Sequence, residues 1–146
     1  MPRSSANLGF LWPVRPLLQR VTAAAQAGFK ACEFHWPYDI PAAELKARCG
    51  DQGVKILGVN TPRGDVAKND MGIAALAGRE REFEEQFDRT LDYVVACGAS
   101  AIHVMAGKVA PEDRNVAREV FLENLRYAVA RARDTSVVCL LEPLNT

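Results

Sequence analysis

Glu142 is the side chain of this sequence best placed to do chemistry. It follows an apolar run, Val137-Val138-Cys139-Leu140-Leu141, and is followed by Pro143. Consecutive apolar residues rich in Val and Leu, flanked by polar ones, predict a parallel strand buried on both faces. Proline cannot donate to a sheet ladder, so pairing should stop there, leaving the carboxylate at the strand's C-terminal end. In α/β folds that end faces the loops where ligands bind. A glutamate in such a place is a metal ligand, an acid/base group, or a carboxylate satisfied by backbone amides, because a buried charge without a partner is costly.

Other candidates are spread along the chain. His103 follows an alternating apolar stretch and could point toward substrate, or simply be tied to backbone or a neighbour. Glu33 and His35 stand two apart on one strand face, within reach of each other, and the plainer reading is a structural hydrogen-bonded pair. Asn60 ends a predicted strand and either touches ligand or caps the loop after it. Lys108, just past Gly107, reads as a solvated charge, with contact to a substrate anion as the functional alternative.

The elements that must position these groups alternate without a break. Residues 6–11 predict a strand, and Pro13 and Pro16 open a helix through Leu17, Leu18, Val21, Ala24 and Ala25 that Gly28 closes. Strands over residues 29–36 and 54–60 flank a helix that starts near Pro41 and stops at Gly50-Asp51-Gln52-Gly53. Residues 61–78 are a long polar, glycine-bearing loop of the kind that is usually functional or mobile. A helix over 79–97 carries Phe83, Phe87, Leu91 and Val94 or Val95 on one core-facing stripe and ends at Gly98. A strand over 100–105 follows. The next helix begins at Pro111, with Val116, Val120, Phe121, Leu125 and Val129 as its apolar face, and reaches about Arg133. Residues 137–142 make the fifth strand.

This alternation predicts an α/β fold with parallel strands and right-handed crossovers. Two architectures fit it: a doubly wound sheet complete at this length, or the first part of a (β/α)₈ barrel, which needs roughly 250 residues. Neither G-x-G-x-x-G after a strand nor a G-x-x-x-x-G-K-[ST] loop is present to favour the first.

Composition narrows the function classes. The 146 residues are 49% hydrophobic and 25% charged, ordinary for one globular domain, and 18 basic residues balance 18 acidic ones. With no basic stripe, neither nucleic acid nor an anionic membrane is an expected partner. The stretch from Tyr93 to Gly107 lacks charge, but it reads as helix end, turn and strand rather than a membrane span. Residues 1–7 lack a signal-peptide core, so a cytoplasmic location is expected. Cys32, Cys49, Cys97 and Cys139 never form a C-x-x-C pair and read as unpaired thiols.

Seven segments decide between the architectures: Ala6-Asn7-Leu8; Glu33-Phe34 with Pro37-Tyr38-Asp39; Arg63-Gly64-Asp65; Gly72 to Glu80; His103-Val104-Met105-Ala106-Gly107; Glu123 to Ala128; and Glu142-Pro143-Leu144-Asn145-Thr146. In this order they resemble successive blocks of the hydroxypyruvate isomerases, members of the xylose-isomerase-like barrels. The resemblance implies a TIM-barrel-type α/β fold, present here over residues 1–146 as a partial barrel of about five strands and four helices. It implies isomerisation of hydroxypyruvate to tartronate semialdehyde through an enediolate, with Glu142 as catalytic residue and metal ligand. Mg²⁺ or Mn²⁺ is the implied cofactor and a small hydroxy- or oxo-acid the substrate, with His103, Asn60 and Lys108 as candidate substrate contacts. Moving a hydrogen between adjacent carbons of an α-hydroxycarbonyl needs a base, an acid and something to hold the enediolate charge, which two carboxylates and a hard divalent ion can supply.

The family's partner glutamate comes from a strand beyond the fifth, so the metal site should be incomplete and the isolated chain inactive. An open strand edge invites pairing, so self-association is expected. The competing functions are isomerisation or epimerisation of another small oxo-acid or sugar, a non-catalytic half-barrel that acts as an interaction module, and, more distantly, a zinc nuclease acting at abasic DNA.

Overall fold

The computed structural model describes residues 4–143. Leu144, Asn145 and Thr146 of the terminal block therefore lie outside the described residues, as do residues 1–3. Five parallel strands alternate with four helices: β1 Ala6–Asn7, α1 Leu17–Gln26, β2 Ala31–Phe34, α2 Ala42–Asp51, β3 Lys55–Asn60, α3 Glu80–Cys97, β4 Ala101–His103, α4 Arg114–Ala132 and β5 Val138–Leu140. The sheet order is β1-β2-β3-β4-β5, every neighbour parallel. That order excludes the doubly wound alternative, in which the strand sequence reverses.

The alternation of strand side chains sorts the molecule into two sides. Ala6, Cys32, Phe34, Ile56 and Ile102 pack into one core with Val21, Leu45, Phe83, Phe87, Leu91 and Val94 of the helices. Consecutive helices lie side by side, α1 on α2, α2 on α3 and α3 on α4, as a layer on that side. The opposite strand residues, among them Asn7, Glu33, Gly58, Asn60, Ala101, His103 and Leu140, line an open concavity of about 820 Å³. Gly58 is favoured by proximity: a Cβ there would stand 3.2 Å from the carbonyl oxygen of Ala101 on the neighbouring strand, a tight approach.

Several predicted elements change in detail. The first strand stops at Asn7 rather than Leu11, because Asn7 Oδ1 accepts from the Gly9 amide at 2.9 Å and its carbonyl accepts from Phe10 and Leu11 at 3.2 and 3.0 Å. The chain turns there, and Phe10 is left 71% exposed. A 3₁₀ turn, Pro111–Asp113, precedes α4. The buried face of α4 is Ala117, Asn124, Ala128 and Ala132, while Val116 and Val129 of the predicted stripe face solvent. Small residues there let the helix approach closely, and a rotation of one position moves the valines outward.

β5 also departs from expectation. Only Cys139 packs toward the core, and Val138 and Leu140 are 57% and 47% exposed. Burial on both faces needs a filled barrel interior, and here that side is the open concavity. The remaining thiols, Cys32, Cys49 and Cys97, are buried, and none of the four is in a disulfide.

Candidate active site

The C-terminal ends of the strands bring the predicted residues to one rim. β3 ends at Asn60 and β4 at His103, and these two are register partners. His103 in turn pairs with Leu140 of β5, which sets Glu142 two residues beyond the pairing. Parallel register thus converts a separation of 43 residues between Asn60 and His103 into a side-chain contact: Nδ1 of the imidazole stands 3.3 Å from Asn60 Oδ1. Glu142 Oε2 lies 3.7 Å from the same nitrogen. With these two oxygens on its side, Nδ1 is assigned the hydrogen of the neutral ring, a tautomer that leaves Nε2 with a free lone pair.

The two partners of His103 differ in exposure. Its own side chain is 15% exposed, and that of Glu142 is 64% exposed. Burial holds the His103 pKa below the usual imidazole value, and the nearby Glu142 charge only partly offsets it. At neutral pH the pair is therefore a neutral imidazole beside a carboxylate rather than an ion pair. His35, just beyond β2, is lowered in the same way, first by burial and then by the trade between Glu142 and Glu33, which raise it, and His103, which lowers it. Its ring meets Phe10 edge-on, centroids 4.6 Å apart.

Glu33 and His35 line the concavity together, but the hydrogen-bonded pair expected from sequence is not formed. Glu33 Oε1 instead accepts from the Ser5 hydroxyl. Lys108 is exposed and does not line the concavity, so of the predicted substrate contacts only His103 and Asn60 reach it. Its exposure fits the solvated charge that is its plainer alternative.

The loop over residues 61–78, expected to be among the mobile parts, is tied down over much of its length. The amides of Ala74 and Ala75 donate to the carbonyls of Met105 and Ala106 at 3.2 and 2.7 Å, and Gly72 bridges Ala106. Asn124 of α4, 2% exposed, donates to the Ala74 carbonyl at 2.8 Å. Thr61, equally buried, accepts from the Met105 amide through Oγ1 at 3.0 Å. Gly72 has φ +102°, and a Cβ there would come within 2.3 Å of the Met105 carbonyl oxygen, so only glycine lets the two backbones touch. Within this loop only residues 66–69 and 77–78 are exposed.

Two lining residues carried no separate prediction. Trp36, after β2, donates its indole N–H to the Thr61 carbonyl at 3.1 Å. Arg63, after β3, lays its guanidinium over that indole, 4.9 Å from the ring centroid. Both follow strands at the same end of the sheet as Glu142, the positional signal that could have singled them out.

Among the described residues no three His, Cys, Asp or Glu side chains gather in a geometry that could hold a metal ion. One rim carboxylate and one imidazole do not fit a complete Mg²⁺ or Mn²⁺ shell, which requires about six donors. Nor is any helix long and apolar enough to cross a membrane among the described residues.

Comparison with known proteins shows the family and the fold. The family model for xylose isomerase-like TIM barrels matches residues 21–146. A Haemophilus influenzae protein named 2-oxo-tetronate isomerase is 41% identical over 99% of this chain and 57% of its own length. A Mus musculus protein provisionally named hydroxypyruvate isomerase is 40% identical over 99% of this chain and 54% of its own. A crystal structure described as AP endonuclease, family 2, from Brucella melitensis superposes with a TM-score of 0.94 at 37% identity, covering 99% of this chain and 56% of that one. The chain spans little more than half the length of each.

Proposed function

Because the chain belongs to the xylose isomerase-like TIM barrel family, we propose that it supplies the Glu142 half of an isomerase site acting on small 2-oxo acids that carry a hydroxyl on the next carbon. Hydroxypyruvate, interconverted with tartronate semialdehyde, is the smallest such substrate. 2-Oxo-tetronate has the same reacting group and one further hydroxylated carbon. The names of the two isomerase relatives support this class.

The observation that carries the reading is the meeting of Glu142, His103 and Asn60 at the mouth of the concavity. A carboxylate there can take the proton from the carbon bearing the hydroxyl, leaving an enediolate, and return of a proton to the former carbonyl carbon completes the shift. Neutral His103, oriented by Asn60, can hold or pass the hydroxyl proton through Nε2 without adding charge to the site. Glu142 is also the ligand this chain offers to Mg²⁺ or Mn²⁺, which would neutralise the enediolate. The other carboxylate and the remaining ligands must come from outside the described residues.

The nuclease reading takes its support from the description of the Brucella melitensis structure. Against it stand the zero net charge and a concavity whose lining sets Arg63 against two carboxylates, Glu33 and Glu142, a balance unsuited to neutralising several phosphates.

The isolated chain should show no measurable isomerisation of hydroxypyruvate with or without Mg²⁺ or Mn²⁺. Joined to the C-terminal remainder of a relative it should gain activity, and Glu142→Gln should then lower turnover by ~10²–10⁴, the range usual for an acid–base residue. Substantial turnover by the isolated chain, or a near-normal rate for the Gln variant, would overturn the assignment.

A further inference from the structure

The lining of the concavity holds a cation that the structure leaves without an anion. Arg63 has no carboxylate partner among the described residues: its Nη2 reaches only the Met71 sulfur, at 3.2 Å, and its Nε is buried with no hydrogen-bond partner. A buried N–H with nothing to donate to is costly, and a thioether is a weak acceptor. Elsewhere in the chain the contrast is plain. Arg79 is held by Asp70 at 2.6 Å and by Glu82 at 2.7 Å, and Arg131 by Asp88 at 2.8 Å.

The guanidinium is nonetheless held in place. The Trp36 indole lies beneath it and is itself anchored to the Thr61 carbonyl. Stacking on an aromatic face leaves the terminal guanidinium edge, the N–H groups of Nη1 and the second N–H of Nη2, free to bind in the plane as a fork. That fork matches one anion geometry above others, two coplanar oxygens in a bidentate pair.

We propose that Arg63 is the residue that binds the substrate's carboxylate, and so restricts this site to oxo-acids over neutral sugars and ketoses. The proposal rests on the isomerase reading and deepens it. Arg63 holds the end of the substrate that does not react, while Glu142 and His103 face the carbons that do. Because Arg63 follows Asn60, the last residue of β3, by three positions, one strand end would position the anchor and orient His103 together.

The test is binding as well as turnover. In the ¹⁵N-labelled chain, titration with hydroxypyruvate should shift the Arg63 Nε–H and Trp36 Nε1–H resonances, and dihydroxyacetone, which lacks the carboxylate, should shift neither. Arg63→Met should weaken hydroxypyruvate binding about 10- to 100-fold. Arg63→Lys, which keeps the charge but loses the fork, should fall between, and dispersed spectra of both variants would confirm that they fold. In the chain joined to the remainder of a relative, Arg63→Met should raise KM for the acid by a similar factor with a smaller change in kcat. Equal binding by Arg63→Met and the parent, equal shifts from dihydroxyacetone, or no shift with millimolar hydroxypyruvate would each overturn the proposal. If Glu142→Gln still abolishes turnover in that event, the isomerase reading survives without this anchor; if it does not, both fail.

Discussion

On the β3–β4 side of the rim, the backbone beyond the strands is buried and cross-braced; on the β5 side it is exposed. After β4, Met105 and Ala106 accept from the Ala74 and Ala75 amides, Thr61 receives the Met105 amide, and Asn124 reaches across from α4 to close the set. After β5, Leu141 is 56% exposed, and among the described residues the Glu142 carboxylate approaches His103 at 3.7 Å while remaining 64% exposed. The groups proposed to orient substrate thus stand on the braced side, and the group proposed to move the proton stands on the open one. Orientation needs fixed geometry, which the braced side has within this chain. The proton-transfer group lacks that support here, in keeping with a site that needs further elements.

The comparison breaks most sharply at Gly72. Gly72→Val should destabilise the chain by about 3 kcal/mol or more, from the left-handed backbone and from collision with the Met105 carbonyl, and should lower the urea midpoint without refolding the sheet. A midpoint close to the parent's would mean that the strap over residues 72–76 is not a fixed brace.

A smaller effect should follow acidification. Folding lowers the pKa of His103 and of His35, chiefly by burial, so the unfolded chain binds more protons than the folded one just below the ordinary imidazole value. Stability is therefore full above about pH 6.5 and is lost progressively as the pH falls through that value toward the lower folded-state pKa values. Urea midpoints measured from pH 7.5 to 5.5 should fall, and His103→Asn should flatten part of the slope. A slope unchanged in that variant would place the titration elsewhere.

The smallest effect on stability is expected on the open side. Leu140→Lys should change it by less than ~0.5 kcal/mol, as for other exposed positions. If copies pair through the edge of β5, the same change should shift the sedimentation of concentrated samples toward monomer. A cost well above that would show Leu140 to be packed, and the two sides of the rim to be more alike than their exposures suggest.

What could be read from the sequence followed the strength of local constraint. The stripe of Phe83, Phe87, Leu91 and Val94 and the left-handed glycines 28 and 98 were legible because helical period and chirality act within a few residues. The sheet order was legible from the resemblance rather than from periodicity, which left two architectures standing. The face of α4 is legible only in part: Phe121 and Leu125 pack against the core as expected, whereas Val116 and Val129 do not, because apolar side chains occur on adjacent stripes and the small residues that allow close approach carry little hydrophobic signal. The turn at Asn7 was hidden by the apolar residues after it, since one side-chain hydrogen bond decided the path. In the site, Glu142, His103 and Asn60 could be found because each follows or ends a strand. Arg63 entered only as part of a block of the resemblance, with no role, because its meaning lies in Trp36, which follows a different strand, and in the partner it lacks.

The depth of the four thiols turns the asymmetry of the rim into something that can be timed. Burial pushes Cys32 up to about 11 and Cys49 up to about 12, and Cys97 is raised as well, so at neutral pH these sulfurs are both shielded and protonated. Cys139 is raised too but is only half-buried, on the edge strand. Alkylation requires the thiolate and access to it. Fraying of β5 would expose Cys139 while the helix-facing core stayed closed, and the other three would react only when that core opened. The chain therefore carries a clock with two hands, one for the loosening of its edge and one for its unfolding, and each can be read by mass without adding a probe.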